Sequence, residues 1–284
     1  MTEIVEGVKA VETIVEASAS LFDHRRQIAA YLKRLRYRLN KGHLHIHVFG
    51  AGGTGKSTLG RIIHGRKTIP EYVTSTGIES YGLGGDVSAT VKVAPGQERH
   101  VPLDWPVLYQ QLNRAKSAGV INVVSWGYHA IGLRSYRDTK YFAEGMEEAA
   151  FFEQYAEDRR KVEIDFMREL VPRLKDAPGK LWMVTVVTKQ DLWWPNRTEV
   201  LPFYENGEYN EFIEEIRRNR GESSFPHFYV PASLLIGNFR TEAGELLAPN
   251  SSGYDQQLQM ASVQKLMNKL DGLSGGKLHH GREE

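Results

Sequence analysis

The residues best suited to chemistry lie together at Gly50-Ala51-Gly52-Gly53-Thr54-Gly55-Lys56-Ser57, which fits G-x-x-x-x-G-K-[ST] at every position. Glycines let the backbone curl until several N–H groups point at one place. A helix starting there adds its partial positive charge. That combination suits a chain of phosphates. The motif puts Lys56 on the terminal phosphates and the Ser57 hydroxyl on Mg²⁺, with Thr58 beside them in the same set. By itself it separates neither ATP from GTP nor a kinase from a switch.

A second segment, Thr188-Lys189-Gln190-Asp191, directly follows the apolar run 181–187. A carboxylate here suits guanine, which offers two donors on one edge where adenine offers none in that arrangement. Facing adenine, the carboxylate would lose its partners. The phosphate loop followed far downstream by strand-T-K-x-D resembles the Ras-like GTPase superfamily, whose usual form is N/T-K-x-D. The resemblance implies that Asp191 reads the guanine N1 and exocyclic amino groups. It also implies that Lys189 packs along the base and braces the phosphate loop. Thr188 stands where asparagine is more usual. Val230-Pro231-Ala232-Ser233 is similar to the family's S-A-K-type loop, whose backbone N–H meets the guanine oxygen, and this adds Ala232 and Ser233 to the site.

The switch segments follow from the same resemblance. In Thr74-Ser75-Thr76-Gly77-Ile78-Glu79, Thr76 is the expected ligand of Mg²⁺ and sensor of the terminal phosphate, with Thr74 as the alternative. Val93-Ala94-Pro95-Gly96-Gln97-Glu98-Arg99 is similar to D-x-x-G-Q-E, so that Gly96 senses the terminal phosphate through its N–H and Gln97 orients the attacking water. The departure is Val93, which stands where an aspartate would hold Mg²⁺ through a water. Ser57 and Thr76 are then the only metal ligands from the chain, and hydrolysis is expected to be slow. Arg99, Arg134 and Arg137 lie near these segments, but none is assignable as an arginine finger, and surface arginines are the plainer reading. The implied reaction is GTP hydrolysis by Gln97, Lys56 and Thr76, with GTP/GDP and Mg²⁺ as cofactors and a protein effector or regulator as partner. Two alternatives stay open: a pseudo-GTPase interaction module, motivated by Val93, and an ATP-using P-loop enzyme.

The elements that must position these residues can be read from hydrophobic periodicity. Strands are expected at 44–49, 79–83, 87–94, 118–126, 181–187 and 228–231. Helices are expected at 56–64, 212–220 and 256–270, and over most of 139–175. Strands alternating with helices argue for an α/β fold, a P-loop NTPase G domain with a mostly parallel sheet flanked by helices on both faces. The expected division is an N-terminal helical extension at 1–41, a Ras-like G domain at 42–271 with a helical elaboration at about 139–178, and a flexible tail at 272–284. The extension's second half is basic, which suits either a helix packed on the domain or a docking or self-association surface. His43, His45 and His47 alternate on one strand face. Metal ligation is conceivable, but packed histidines are the better reading for a central strand. Trp182, Trp193 and Trp194 bracket the base-reading loop and read as core and lid packing.

Composition sets the outer bounds. The chain has 284 residues, a formal net charge of +1 and 41% hydrophobic residues, enough for a core. The charge gives no whole-molecule argument for nucleic acid or a membrane surface. With no cysteine, disulfides, thiolate zinc sites and a cysteine nucleophile are excluded, which fits a cytoplasmic setting. The first residues, without a basic start or an apolar run, are not expected to act as a leader, and no run approaches the roughly 18 apolar residues of a membrane span.

Overall fold

In the computed structural model, residues 23–35, 37, 45–64, 79–82, 90–93, 109–110, 112–115 and 117–274 are described; for 79–82 and 90–93 only the backbone is considered. Six strands form one sheet in the order β2-β3-β1-β4-β5-β6: β1 (His45–Phe49), β2 (Glu79–Gly82), β3 (Thr90–Val93), β4 (Ser117–Val124), β5 (Lys180–Val187) and β6 (His227–Pro231). Every neighbouring pair is parallel except β2 with β3. The helices are α1 (residues 23–35), α2 (Lys56–His64), α3 (residues 109–110 and 112–114), α4 (Glu148–Asp176), α5 (Gln190–Trp193), α6 (Arg197–Glu205), α7 (Glu208–Arg220) and α8 (Gln256–Leu273). A two-stranded ribbon, β7 (Phe239–Arg240) with β8 (Leu246–Ala248), stands apart from the main sheet.

The central strands are buried on both faces because their side chains point alternately to two separate cores. Val120, Val124, Leu181, Met183 and Val187 join one core with Met167, Leu170, Leu174, Tyr204 and Ile213 of α4, α6 and α7. Ile121, Val123, Val184 and Val186 join the other with Leu32, Leu35, Leu59, Ile63, Leu266 and Leu270 of α1, α2 and α8. Trp182 belongs to this second face and lies against Gly119, where a Cβ would sit 2.1 Å from the ring. Helix α1 thus spends its apolar side within the chain, and Arg34 adds a 2.8 Å contact to Asp271 of α8.

Several expected boundaries move. The long helix begins at Glu148, not near residue 139. The segment before it is a 3₁₀ turn at Tyr136–Asp138, capped by Ser135, followed by turns that include Gly145 at φ +82°. The strand expected at 118–126 ends at Val124, because Trp126 and Gly127 turn the chain with φ +51° and +84°. Helices α3, α5 and α6 and the ribbon are additional. Residues 1–22 of the extension and 275–284 of the tail lie outside the described residues. Among the described residues, no helix is long and apolar enough to cross a membrane.

Candidate functional site

The order of strands reverses at β1: the chain continues through β3 on one side and β4 on the other. Crevices at the carboxyl ends of strands beside such a reversal are where open α/β sheets take ligands. The phosphate loop leaves β1 there and runs directly into α2, which begins at Lys56. Gly50 has φ +130°, and a Cβ on it would meet Val123 O at 2.2 Å. Gly53 has φ +76°, and its Cβ would meet Ala130 N at 2.4 Å. Both positions therefore need glycine for conformation and for close approach. Thr54 Oγ1 and Lys56 Nζ both donate to Ala51 O, at 3.0 and 2.7 Å. The ammonium thus lies along the inside of the loop and is itself buried. Gly52, Gly55, Ser57 and Thr58 complete the loop and the first turn of α2.

The second loop leaves β5 at the same edge. The Thr188 hydroxyl spans both, 2.6 Å from Thr54 O and 3.0 Å from Val124 O, while Thr188 N donates to Val124 O at 2.8 Å. A peptide is planar and trans, so anchoring Thr54 O from one side turns the Gly55 N–H to the other. Trp193, fully buried, holds Thr188 O with its indole N–H at 2.7 Å, which explains one of the three tryptophans. Lys189 takes the left-handed conformation, φ +59°. Its ammonium donates to Tyr128 O and lies 5.3 Å from the centre of the Phe239 ring. Burial pulls that ammonium down to about 8, with Asp191 and Glu163 raising it less.

Asp191 is buried in the first turn of α5. Ser233 Oγ donates to its Oδ1 at 2.8 Å and Gly237 N to its Oδ2 at 3.0 Å. Burial raises its pKa, and these two donors, its own amide and Lys189 offset part of that. A carboxylate has about four acceptor sites, so two donors leave capacity for a ligand's donors. Ala232 N is bonded to Val187 O at 2.9 Å, which fixes the loop after β6 beside the end of β5. The structure therefore brings 50–58, 188–191 and 232–233 to one edge. This is an α/β P-loop arrangement, a mostly parallel sheet with these loops gathered at its carboxyl edge.

No protein-family model matches the chain, and no curated protein sequence does. Solved structures similar to it include the mammalian SRP receptor, at 14% identity and a TM-score of 0.41, over 81% of this chain and 99% of that one. Toc33 from Arabidopsis thaliana, in complex with Mg²⁺ and GMPPNP, is 15% identical at a TM-score of 0.48, over 90% and 93% of the two chains. The Arl6 small GTPase from Trypanosoma brucei is 14% identical at 0.37, over 81% and 96%. These likenesses are distant.

Of the remaining expected site residues, Thr76, Gly96 and Gln97, with Thr74 and Arg99, lie outside the described residues. Val93 ends β3, paired with Val48 of β1 two residues before the phosphate loop. Arg134 and Arg137 are exposed. His47 is buried, its ring 6.5 Å from that of Phe49. His43 lies outside the described residues, and among these no group of three metal-binding side chains occurs.

Three contributors are absent from the motifs: Gly237, which donates to Asp191; the segment 125–130 behind the phosphate loop; and Glu163 of α4, which holds that segment. Gly237 carries no signal in a single sequence. Glu163 does carry one, since it sits three, four and seven residues before Phe166, Met167 and Leu170 on the apolar stripe of α4.

Proposed function

We propose that the chain binds a guanine nucleotide with Mg²⁺ and hydrolyses GTP slowly. In the same reading the terminal phosphate orders the Thr76 and Gly96 segments into a surface for a protein effector or regulator. The observation that carries this reading is the Thr188 bridge. One hydroxyl, on the first residue of the base-reading loop, reaches both the carbonyl of Thr54 in the phosphate loop and that of Val124 at the end of β4. Phosphate and base sites are thereby held at a fixed spacing, and Asp191 supplies the acceptors that guanine needs.

The donor set suits a magnesium–triphosphate: curled backbone N–H groups, the buried Lys56 ammonium and the Ser57 hydroxyl at the start of α2. Bound Mg²⁺ neutralises phosphate charge. Ser57 and Thr76 are the residues to hold it, and Val93 offers no oxygen. Lys56 steadies the terminal phosphate and Gln97 orients the water.

Competition against a fluorescent GDP analogue tests the nucleotide: GTP and GDP displace it, and displacement by ATP at equal concentration would remove the role of Asp191. Phosphate release tests the chemistry, with Gln97→Leu as the control. Val93 favours a second reading, a chain that binds GTP without hydrolysing it, and wild-type release no faster than that of Gln97→Leu would establish it.

A further inference from the structure

We propose that Glu163 is a positioning residue: by holding the segment 125–130 against the phosphate loop, it sets how long a guanine nucleotide stays bound. The inference rests on the nucleotide reading above. Glu163 lies on α4, is 1% exposed and touches neither loop motif. Its Oε1 accepts from Ser125 N at 2.7 Å and His129 Nε2 at 2.8 Å, with longer approaches of 3.4 Å from Ser125 Oγ and Gly127 N. Its Oε2 accepts from Tyr204 OH at 2.6 Å. Tyr204 in turn accepts from Trp126 N at 2.9 Å. One buried carboxylate thus collects donors from four residues of a six-residue turn, directly or through a single tyrosine. Buried His129 is held below its usual range by desolvation, more than Glu163 raises it, so a neutral ring donates.

The turn has little freedom of its own. Trp126 and Gly127 both have positive φ, and a Cβ at Gly127 would meet Ala156 O of α4 at 2.1 Å. The other side of the turn is the back wall of the candidate site. Ala130 N donates to Gly53 O at 3.2 Å, and Tyr128 O accepts from the Lys189 ammonium. Because the peptide is planar and trans, fixing Gly53 O on the Ala130 side aims the Thr54 N–H the opposite way. Thr188 does the same for the next peptide through Thr54 O. Two consecutive N–H groups of the phosphate loop are therefore aimed by their carbonyls, one by Thr188 and the other, through Ala130, by Glu163.

Glu163→Gln keeps the shape but gives the turn one acceptor oxygen where two served, and its NH₂ faces a donor. Tyr204→Phe removes one donor more gently. Leu174→Ala truncates the same helix about three turns further on, in the core and away from the turn. Dissociation of a fluorescent GDP is measured for all four proteins at equal distance below each melting temperature, with amide exchange at Ala130. Both network variants are expected to release GDP about tenfold faster or more, as loss of hydrogen bonds to a charged group implies, with faster Ala130 exchange. Leu174→Ala is expected to match wild type in both. Wild-type release rates in Glu163→Gln and Tyr204→Phe would overturn the inference, as would equal acceleration in Leu174→Ala. If Glu163→Gln does not fold, Tyr204→Phe decides. A wild-type protein that binds no guanine nucleotide would instead remove the nucleotide reading, and the inference with it.

Discussion

Replacing Asp191 by asparagine isolates what the carboxylate does for the base. The fold has a way to accept the change. An asparagine oxygen can keep the Gly237 N–H now at 3.0 Å, and its NH₂ can donate to Ser233 Oγ. Ser233 then turns its own proton to Leu235 O, already 3.1 Å away. Removing a buried charge whose pKa desolvation has raised offsets part of any loss, so stability should change by no more than ~1 kcal/mol. The ligand has no such adjustment. Guanine's N1–H and amino group would meet one acceptor and one N–H where they had met two acceptors. Losing a charged hydrogen bond and facing a donor with a donor costs about 3 kcal/mol, roughly 100-fold in Kd. Xanthine carries an acceptor at the position of guanine's amino group, so its nucleotides should gain affinity in the same variant. Competition of GDP and xanthosine diphosphate against a fluorescent analogue, with melting temperature as control, reads both effects. A variant of unchanged stability that still prefers GDP as strongly as wild type would refute the assignment of Asp191.

Three further perturbations have defined outcomes. Thr188→Val strands the buried Thr54 carbonyl, because Val124 O keeps the Thr188 N–H while Thr54 O loses its donor; a loss of ~1–3 kcal/mol in denaturant unfolding and weaker GDP binding are expected. His227 is buried, bonded through Nε2 to Thr185 Oγ1 at 2.9 Å, and burial pulls its pKa to about 3. A folded value below the unfolded one means that its contribution is complete above about pH 6.5 and is lost as pH falls towards 3, at up to ~1.4 kcal/mol per unit. Urea midpoints between pH 4.5 and 7 should therefore slope less in His227→Gln, and an unchanged slope would contradict this. Val93→Asp supplies a carboxylate at the end of β3, next to β1; GTP binding should become more dependent on Mg²⁺ in a magnesium titration, and an unaltered dependence would show that this position does not face the metal.

Much of the fold is legible because local chemistry and burial agree. Residues 181–187 are apolar except for Thr185, and β5 is indeed buried on both faces. The run 118–126 is also mostly apolar, broken by Asn122 and Ser125, but is not all strand. Its last residues turn because Gly127 approaches α4 too closely for any side chain, a tertiary constraint that periodicity cannot register. Residues 139–147 lie in the stretch expected as helix, yet they form turns, with Thr139 Oγ1 donating to Tyr136 O and Tyr141 OH to Asp158 Oδ2 of α4, both at 2.7 Å, and the turn before them meets the segment that joins the ribbon's strands. There Glu245 accepts from Ser135 Oγ and Tyr136 N at 3.0 and 3.1 Å, a pairing separated by more than a hundred residues in the chain. The ribbon was not legible at all, since β7 and β8 are two and three residues long and owe their position to those contacts.

The candidate site divides along the same line. Gly50 to Ser57 and Thr188 to Asp191 announce themselves because a phosphate chain and a purine edge each demand a fixed local pattern of groups. The residues that aim those groups answer only to the interior of this molecule. Gly237 reaches Asp191 across 46 positions, and Glu163 reaches Ser125 across 38. Yet Glu163 left a trace, a charged residue on the apolar stripe of an amphipathic helix. Leaving that charge unpaired in the core would cost several kcal/mol, so donors had to be waiting for it. Here they come from Tyr204 of α6 and from the turn at the end of β4, and in an α/β sheet the carboxyl ends of the strands are where ligands bind. A buried acid on the helix following the phosphate half of such a domain therefore points from the core back to the site.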